Sequence, residues 1–404
     1  MKKSRIYINT NFKIYFNLFY NFIFNVDLSK KLLNELKNYF KKENLLLTSQ
    51  GRSAAYEIFK TIINGDKNEI ILSPLTLPAV VNSIIYAGGK PIFVDLCLKT
   101  GLPNIDNVKH LINKKTAGIL ITHLYSNEIH LNNFINVFDG VVKIVEDTAI
   151  NLGSKKSNGD FLGLLCDFGF FSFGLMKNVN SFNGGLIYAK SNEDFSNIKK
   201  SMEHNVKFPN IRFLKILLLS MFIDIIYNKF IYYIITINVD KILRLLNINF
   251  FEKIIYPGLY PNLDTIKPSY YNYNYCNIFA YSGLYNLNNV NIIRDKRQKK
   301  VELYEKYLDN KFLINEFQNY NINAFLELPI FIKNSNSIKI SKILFENGYD
   351  IRHTWYPNCN IFFNYNGSFE NCDNLQKKIL CLPTNDNFYE EDIKKISKII
   401  NKNG

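Results

Sequence analysis

The sequence is poor in the arrangements that build metal centres and disulfide frameworks. Its 404 residues hold six cysteines, Cys97, Cys166, Cys276, Cys359, Cys372 and Cys381, and no two stand in a CxxC spacing. That scatter argues against a zinc ribbon or a stapled extracellular scaffold and fits a reducing cytosol. The five histidines form neither an HxH nor an HxxxH pair, so no metal site is expected. The N-terminal residues are not expected to act as a secretory leader. Met1-Lys2-Lys3 is basic, but the run from Ile14 to Phe24 is aromatic-rich, is broken by Asn17 and Asn21, and is followed by no small-residue cleavage site. An N-terminal arm or amphipathic segment is expected over residues 1–45, with Asp27 capping a helix from Leu28 to about Lys41. Acidic residues are the scarcer charge, 35 against 49 basic ones, for a net +14. The abundance of Asn, Ile, Lys, Phe and Tyr resembles the compositional drift of an AT-rich genome, which tempers that excess. The excess still favours acidic or phosphorylated partners and anionic membrane surfaces, and no nucleic-acid partner is expected.

What the chain does have is apolar content, 47% of its residues, enough for a large core in two domains. From residue 46 onward strand and helix signals alternate. β-rich runs occur at Glu69–Ser73, Pro91–Leu96, Ala117–His123, Val141–Asp147, Phe168–Phe173 and Gly185–Ala189, with helical stretches such as Ala54–Ile63 and Ala79–Ala87 between them. The alternation predicts an α/β layer with a mostly parallel sheet, over 46–204. Ligands of such sheets gather at the carboxyl ends of the strands, where Asp147, His123 and Ser172 fall.

Two of these positions carry a specific chemistry. Lys177 stands alone in an apolar run, Phe170 to Asn178, and the strand-like Val141–Val145 about thirty residues upstream ends in Glu146-Asp147. A lysine amine that forms a Schiff base, and a carboxylate that keeps a pyridine nitrogen protonated, are the two groups pyridoxal phosphate (PLP) requires. The loop Thr48-Ser49-Gln50-Gly51-Arg52-Ser53 opens a helix. Gly51 lets backbone approach an anion, and the N–H groups of Arg52 and Ser53 can hold a phosphate. Taken alone, each of these features is as well explained by a solvated lysine or an ordinary helix cap.

The ordered set is more specific. Ser49–Ala54 is followed by Ser73-Pro74-Leu75-Thr76-Leu77-Pro78-Ala79, by Tyr86 to Asp95, by Thr122-His123-Leu124-Tyr125 and by Glu146-Asp147-Thr148-Ala149. Gly163–Asp167, Phe171-Ser172-Phe173 to Lys177-Asn178 and Asn183-Gly184-Gly185 complete it. This order resembles the DegT/DnrJ/EryC1/StrS family of PLP-dependent sugar aminotransferases. The likeness is good over 46–190 and looser over Asp350–Pro357 and Cys381–Thr384.

The resemblance implies the type I PLP-dependent aminotransferase fold: a large, mostly parallel mixed-sheet domain and a small C-terminal α/β domain, here over 266–404. It assigns Lys177 as the Schiff-base lysine, Asp147 as the pyridine-nitrogen partner and Ser172 as a phosphate ligand, with Gly51, Arg52 and Ser53 as the backbone cradle. Asn272-Tyr273-Asn274, before Gly283, is similar to the family's Asn-Tyr-Arg segment. It makes Asn274 a candidate contact to the phosphate of a neighbouring subunit in a homodimer. A loop asparagine with no such role is the other reading.

Two cofactor positions depart from the pattern. Leu77 replaces an aromatic ring that stacks on PLP, and Ile150 replaces a Gln or His near the PLP hydroxyl; the adjacent Asn151 is expected to point elsewhere. Dehydrating members carry His at the lysine position, and Lys177 is retained here. The implied activity is amino transfer, with glutamate the donor the resemblance implies, to a nucleotide-linked keto-sugar in surface polysaccharide or glycoconjugate biosynthesis. The alternative is a PLP-binding regulatory or scaffold protein without turnover.

Residues 205–265 fit the pattern least. Phe213–Ile223 and Phe230–Ile237 are apolar, but Asp224 and Lys229 interrupt them where a spanning helix would have its centre. Two short helices are expected. Their shared apolar face either packs in a dimer contact, the preferred reading, or meets the inner membrane face peripherally, helped by flanking lysines and arginines. The location expected is cytoplasmic, with or without that contact.

Overall fold

The computed structural model describes residues 2–98, 100–124, 128–246, 248, 250–255, 266–313, 324, 326–353, 356–363, 365 and 367–404. Seven strands form the large sheet: β1 (Leu45–Thr48), β2 (Glu69–Leu72), β3 (Lys90–Phe93), β4 (Thr116–Thr122), β5 (Lys143–Asp147), β6 (Phe168–Ser172) and β7 (Gly185–Ala189). Their spatial order is β1-β7-β6-β5-β4-β2-β3. Only β7 is antiparallel to its neighbours, so the other six run in one direction and deliver their carboxyl ends to a single edge. The expected runs map onto these strands within one to three residues at each end.

Burial explains the strand composition. All seven residues of β4, Thr-Ala-Gly-Ile-Leu-Ile-Thr, are buried, as a central parallel strand covered on both faces must be. One face packs on the helices Gly51–Ile62 and Pro78–Tyr86, through Ile58, Phe59, Val81 and Ile84. The other packs on Ile105–Leu111 and Glu128–Phe138, through Val108, Leu131, Phe134 and Phe138. The helix expected from Leu28 spans Ser29–Phe40, and Asp27 accepts from the Ser29 backbone N–H and hydroxyl at its start.

The small sheet is antiparallel, in the order β8 (Glu327–Phe331), β10 (Ile379–Pro383), β9 (Arg352–His353). Its core is closed by the helices Val290–Tyr307, Ser337–Glu346 and Glu390–Asn403. The N-terminal residues reach across to it. Lys3 exchanges backbone hydrogen bonds with Gly348 and Asp350, and Asn387 Nδ2 donates to the Ser4 and Ile6 carbonyls.

The apolar segment forms the helix Asn210–Ile226, a short helix Lys229–Ile231, a π-helical turn Tyr232–Thr236 and the helix Ile237–Leu245. Among the described residues no helix is long and apolar enough to cross a membrane. Asp224 accepts hydrogen bonds from the Thr10 and Tyr15 hydroxyls. It is thereby tied to the N-terminal arm.

Candidate active site

Strand register places the site. Asp147, the last residue of β5, pairs with Thr122 on one side and Phe170 on the other, at the centre of the carboxyl edge. Ser172 ends β6 opposite Gly185, which in turn pairs with Thr48 at the end of β1. Three residues beyond Thr48 the helix Gly51–Ile62 begins, its N-terminus brought against Ser172. The approach is so close that a Cβ on Gly51 would lie 2.9 Å from the Ser172 Cβ. No side-chain cap covers this helix start, so its first N–H groups are left for an anion. Ser53 is buried there, its hydroxyl 3.0 Å from that of Ser49. The Arg52 guanidinium turns away from the cradle and lies over the Tyr270 ring at 5.5 Å.

Lys177 sits on the turn after β6, its N–H bonded to the Gly174 carbonyl. Burial pulls its ammonium down to about 8, against the opposing carboxylates of Asp147 and Glu327. Asp147 is 3% exposed and accepts from the Ala149 N–H at 3.0 Å. Burial pushes it up to about 6, with the Ala149 N–H and the charges of Lys177 and His123 opposing. An amine and a carboxyl separated by thirty residues are thus brought within each other's field, the carboxyl buried and the lysine half-buried at the edge of a cavity.

Leu77 and Ile150 are both partly buried against the cluster that backs the sheet. Neither supplies a polar atom. Asn151 is turned to the His123 carbonyl, to which its Nδ2 donates. Asn274 is exposed, and its amide donates to the Asn205 carbonyl at 3.1 Å. Its backbone N–H bonds Val206, whose own N–H bonds Asn272, so the Asn272–Asn274 segment is stitched to 205–206.

Sequence reasoning placed His123 at the ligand edge and missed the parts played by Glu146 and Glu327; the structure corrects the first and supplies the others. His123 does not turn to the site edge; its Nε2 donates at 2.9 Å to Glu146, the neighbour of Asp147 on the opposite face of β5. Glu146 also accepts from the N–H groups of Gly163, Leu165 and Cys166. Burial raises its cost of ionising, but the His123 contact and these backbone donors outweigh that and hold its carboxyl low.

Glu327, at the start of β8, brings a second carboxylate to the lysine. Its Oε2 is buried without a hydrogen-bond partner, and burial pushes it up to about 8, against the charges of Arg5, Arg352 and Arg297. A cavity of about 170 Å³ opens beside Lys177, lined by Tyr7, Asn9, Lys296, Arg297 and Asp386 among others. Arg297 Nη1 donates to Asn178 Oδ1 at 2.6 Å, and Lys296 and Lys300 share Asp386 at 3.2 and 2.9 Å. The single acidic residue in an otherwise apolar strand, Glu-Leu-Pro-Ile-Phe, was the one local signal for Glu327.

The sequence profile of the DegT/DnrJ/EryC1/StrS aminotransferase family matches residues 21–214 and 261–401. The chain belongs to this family. A GDP-perosamine synthase of Escherichia coli O157:H7 is 28% identical over 160 residues, 38% of this chain and 44% of that protein. The pleiotropic regulatory protein of Geobacillus stearothermophilus is 30% identical over 172 residues, 41% and 45% of the two chains. The matched region thus spans less than half the length of either relative.

Helicobacter pylori PseC, an aminotransferase involved in the biosynthesis of pseudoaminic acid, superposes with a TM-score of 0.73 at 15% identity, over 100% of this chain and 99% of its own. The E. coli GDP-4-keto-6-deoxy-D-mannose-3-dehydratase with bound hydrated PLP gives 0.73 at 15% identity, over 99% of each chain. The fold is that of the type I PLP-dependent aminotransferases. Residues 215–260 and the first twenty lie outside the profile match.

Proposed function

We propose that this protein is a PLP-dependent aminotransferase that moves an amino group from a donor, glutamate on family grounds, to a nucleotide-linked keto-sugar. The observation that carries the reading is the half-buried Lys177 within the field of the buried Asp147, beside an uncapped helix start that Gly51 brings against Ser172. The residues present fit PLP: Lys177 would hold its aldehyde carbon, Asp147 its pyridine nitrogen, and Ser172 with the N–H groups of Arg52 and Ser53 its phosphate. When bound, the group supplies an electron sink for the bond-breaking step.

The chain's own part is acid–base and positional. An amine held down to about 8 is partly neutral near pH 7.5, able to act as nucleophile and then to carry a proton at Nζ. Asp147 titrates at about 6 when the pocket is empty, and a cationic ring nitrogen against it favours the carboxylate form. Leu77 and Ile150, packed against the core behind the sheet, would offer the ring apolar surface and no hydrogen bond. The cationic rim, Lys296 and Arg297 beside Asp386, suits an anionic reactant at the cavity beside Lys177. A homodimer is part of the reading: Asn272–Asn274 of one subunit would approach the cofactor phosphate of the other. Mixing inactive Lys177→Ala and Asn274→Asp subunits should restore part of the activity; none restored, in a protein shown to exchange subunits, removes the shared site.

The main test is the absorbance of purified protein with PLP, followed by borohydride reduction and peptide mapping. A cofactor band that bleaches with glutamate, and a label on Lys177, support the reading. A band that glutamate leaves unchanged supports binding without turnover, which the apolar Leu77 and Ile150 would favour. A label on another lysine removes the site assignment.

A further inference from the structure

Large apolar side chains are not scattered over this surface. Of the 29 that are exposed among the described residues, six lie in 12–24 and sixteen in 211–250. The two segments are far apart in sequence yet adjacent in space. Phe22 stacks on Phe213 with ring centroids 5.0 Å apart, and Tyr15 donates to Asp224. The partners run in opposite order, so the helices Phe12–Ile23 and Asn210–Ile226 lie side by side and antiparallel. Their buried sides hold Ile14, Leu18, Phe213 and Leu217, which share one core with Phe182 and Phe279. Their outward sides are also apolar: Phe12 is 85% exposed, Phe16 59%, Leu218 64% and Ile225 54%. A helix that is apolar all round needs a second apolar neighbour.

The charges at this face have one dominant sign. Lys13, Lys207, Lys215 and Lys229 are exposed on the two helices and their flanks. The acidic Asp224 between them is withdrawn into hydrogen bonds with Thr10 and Tyr15. We propose that the outward faces of Phe12–Ile23 and Asn210–Ile226, continued by Phe230 and Ile234, form one surface that docks on an anionic lipid bilayer without crossing it. Apolar side chains would enter the acyl boundary while the lysines reach headgroup phosphates. A second copy of the chain fits less well, because a two-fold contact would set the same lysines against each other. Most of the surface also lies outside the part of the chain that the family profile matches, so it is an addition to the shared fold. This inference stands apart from the catalytic reading; its test uses no turnover.

The test is co-sedimentation of the full-length, PLP-incubated chain with vesicles containing phosphatidylglycerol, and with vesicles of phosphatidylcholine alone. Binding is expected to the anionic vesicles, at least ~10-fold stronger than to the neutral ones and weakened as salt rises from about 0.1 to about 0.5 M. Lys13→Glu with Lys215→Glu should reduce it at least ~10-fold, and Phe16→Ser with Leu218→Ser should abolish it. Circular dichroism checks the fold of each variant. The wild-type measurement alone can overturn the proposal: no sedimentation with anionic vesicles ends it. Equal binding to both vesicle types would remove the anionic part. A change from dimer to monomer in the Phe16→Ser, Leu218→Ser variant, without vesicle binding by the wild type, would assign the face to a second copy.

Discussion

Replacing Asp147 by Asn should make the cofactor-free protein more stable and the enzyme inactive. Asp147 is 3% exposed and has the Ala149 N–H as a hydrogen-bond donor. Burial raises it from an ordinary 3.8 to about 6, a shift of roughly two pH units, and at 1.36 kcal/mol per unit the ionised side chain costs the empty fold about 3 kcal/mol. The sign follows from proton counts. Below about pH 4 both folded and unfolded chains hold the proton, and the group contributes nothing. Between about 4 and 6 the unfolded chain releases it first, so stability falls as pH rises. Above 6 the full cost is present. Asparagine keeps the shape and an oxygen for Ala149 but carries no charge.

The assay is thermal unfolding of cofactor-free wild type and Asp147→Asn across this range. At pH 7.5 the variant should melt a few degrees higher, allowing for the lost attraction to Lys177; at pH 4 the two should converge. With PLP the order should reverse in function, turnover falling at least ~100-fold as the charge opposite the pyridine nitrogen is lost. A variant no more stable than wild type at pH 7.5, or a gap that widens toward pH 4, would refute the reasoning. It would mean that the buried carboxylate is well compensated and its burial not a cost borne for function.

Other changes probe the remaining parts of the pocket. Gly51→Ala puts a Cβ 2.9 Å from that of Ser172, so the helix start must retreat; PLP affinity, read by fluorescence titration, should fall roughly tenfold or more with the fold retained. Unchanged affinity would show that the phosphate lies elsewhere. Glu327→Gln removes a carboxylate that raises Lys177, so the midpoint for acylation of Lys177 in the cofactor-free protein should move below about 8. A midpoint that stays or rises would remove Glu327 from the lysine's field.

The sheet was largely legible because its strands are short apolar runs bounded by turns, and a parallel strand such as Thr116–Thr122 has no solvent face to break the pattern. Asp147 and Lys177 were legible for a related reason: a charge at the end of, or inside, an apolar run is conspicuous. Glu327 was not, because what makes it notable is its company. Arg5, Arg297 and Arg352 come from the N-terminal arm, a helix of 18 residues and another strand, and no local pattern joins them. The sequence of residues 1–45 indicates no more than an arm or amphipathic segment before the helix that starts near Leu28. That the arm forms a helix packed antiparallel on Asn210–Ile226 depends on a contact spanning about two hundred residues, Phe22 with Phe213. His123 shows the opposite error. Its place at a strand end suggested the ligand edge, yet its ring is spent on Glu146, a partner whose direction only the pleat of β5 decides.

That pleat separates two adjacent carboxylates into opposite duties, and the contrast can be measured. Glu146 accepts from His123 Nε2 and from three backbone N–H groups of the Gly163–Cys166 loop. Its folded-state carboxyl is held below the ordinary 4.5, so it contributes stability above that value that is lost as pH falls through the folded one. Asp147 has the reverse dependence. Glu146→Gln would turn an NH₂ group toward donors that already need an acceptor, leaving at least one buried N–H unpaired at a cost of about 2–4 kcal/mol. Thermal unfolding should therefore show a loss above pH 5 that shrinks in acid, where the native glutamate is itself protonated. The loop it anchors passes over β6 so closely that a Cβ on Gly169 would lie 1.8 Å from the Gly163 carbonyl oxygen. Disorder there should reach Ser172 at the end of the same strand and weaken PLP binding indirectly. If Glu146→Gln unfolds like wild type at pH 7.5, the four-donor clamp does not hold the loop, and the opposed roles assigned to these neighbours fail together.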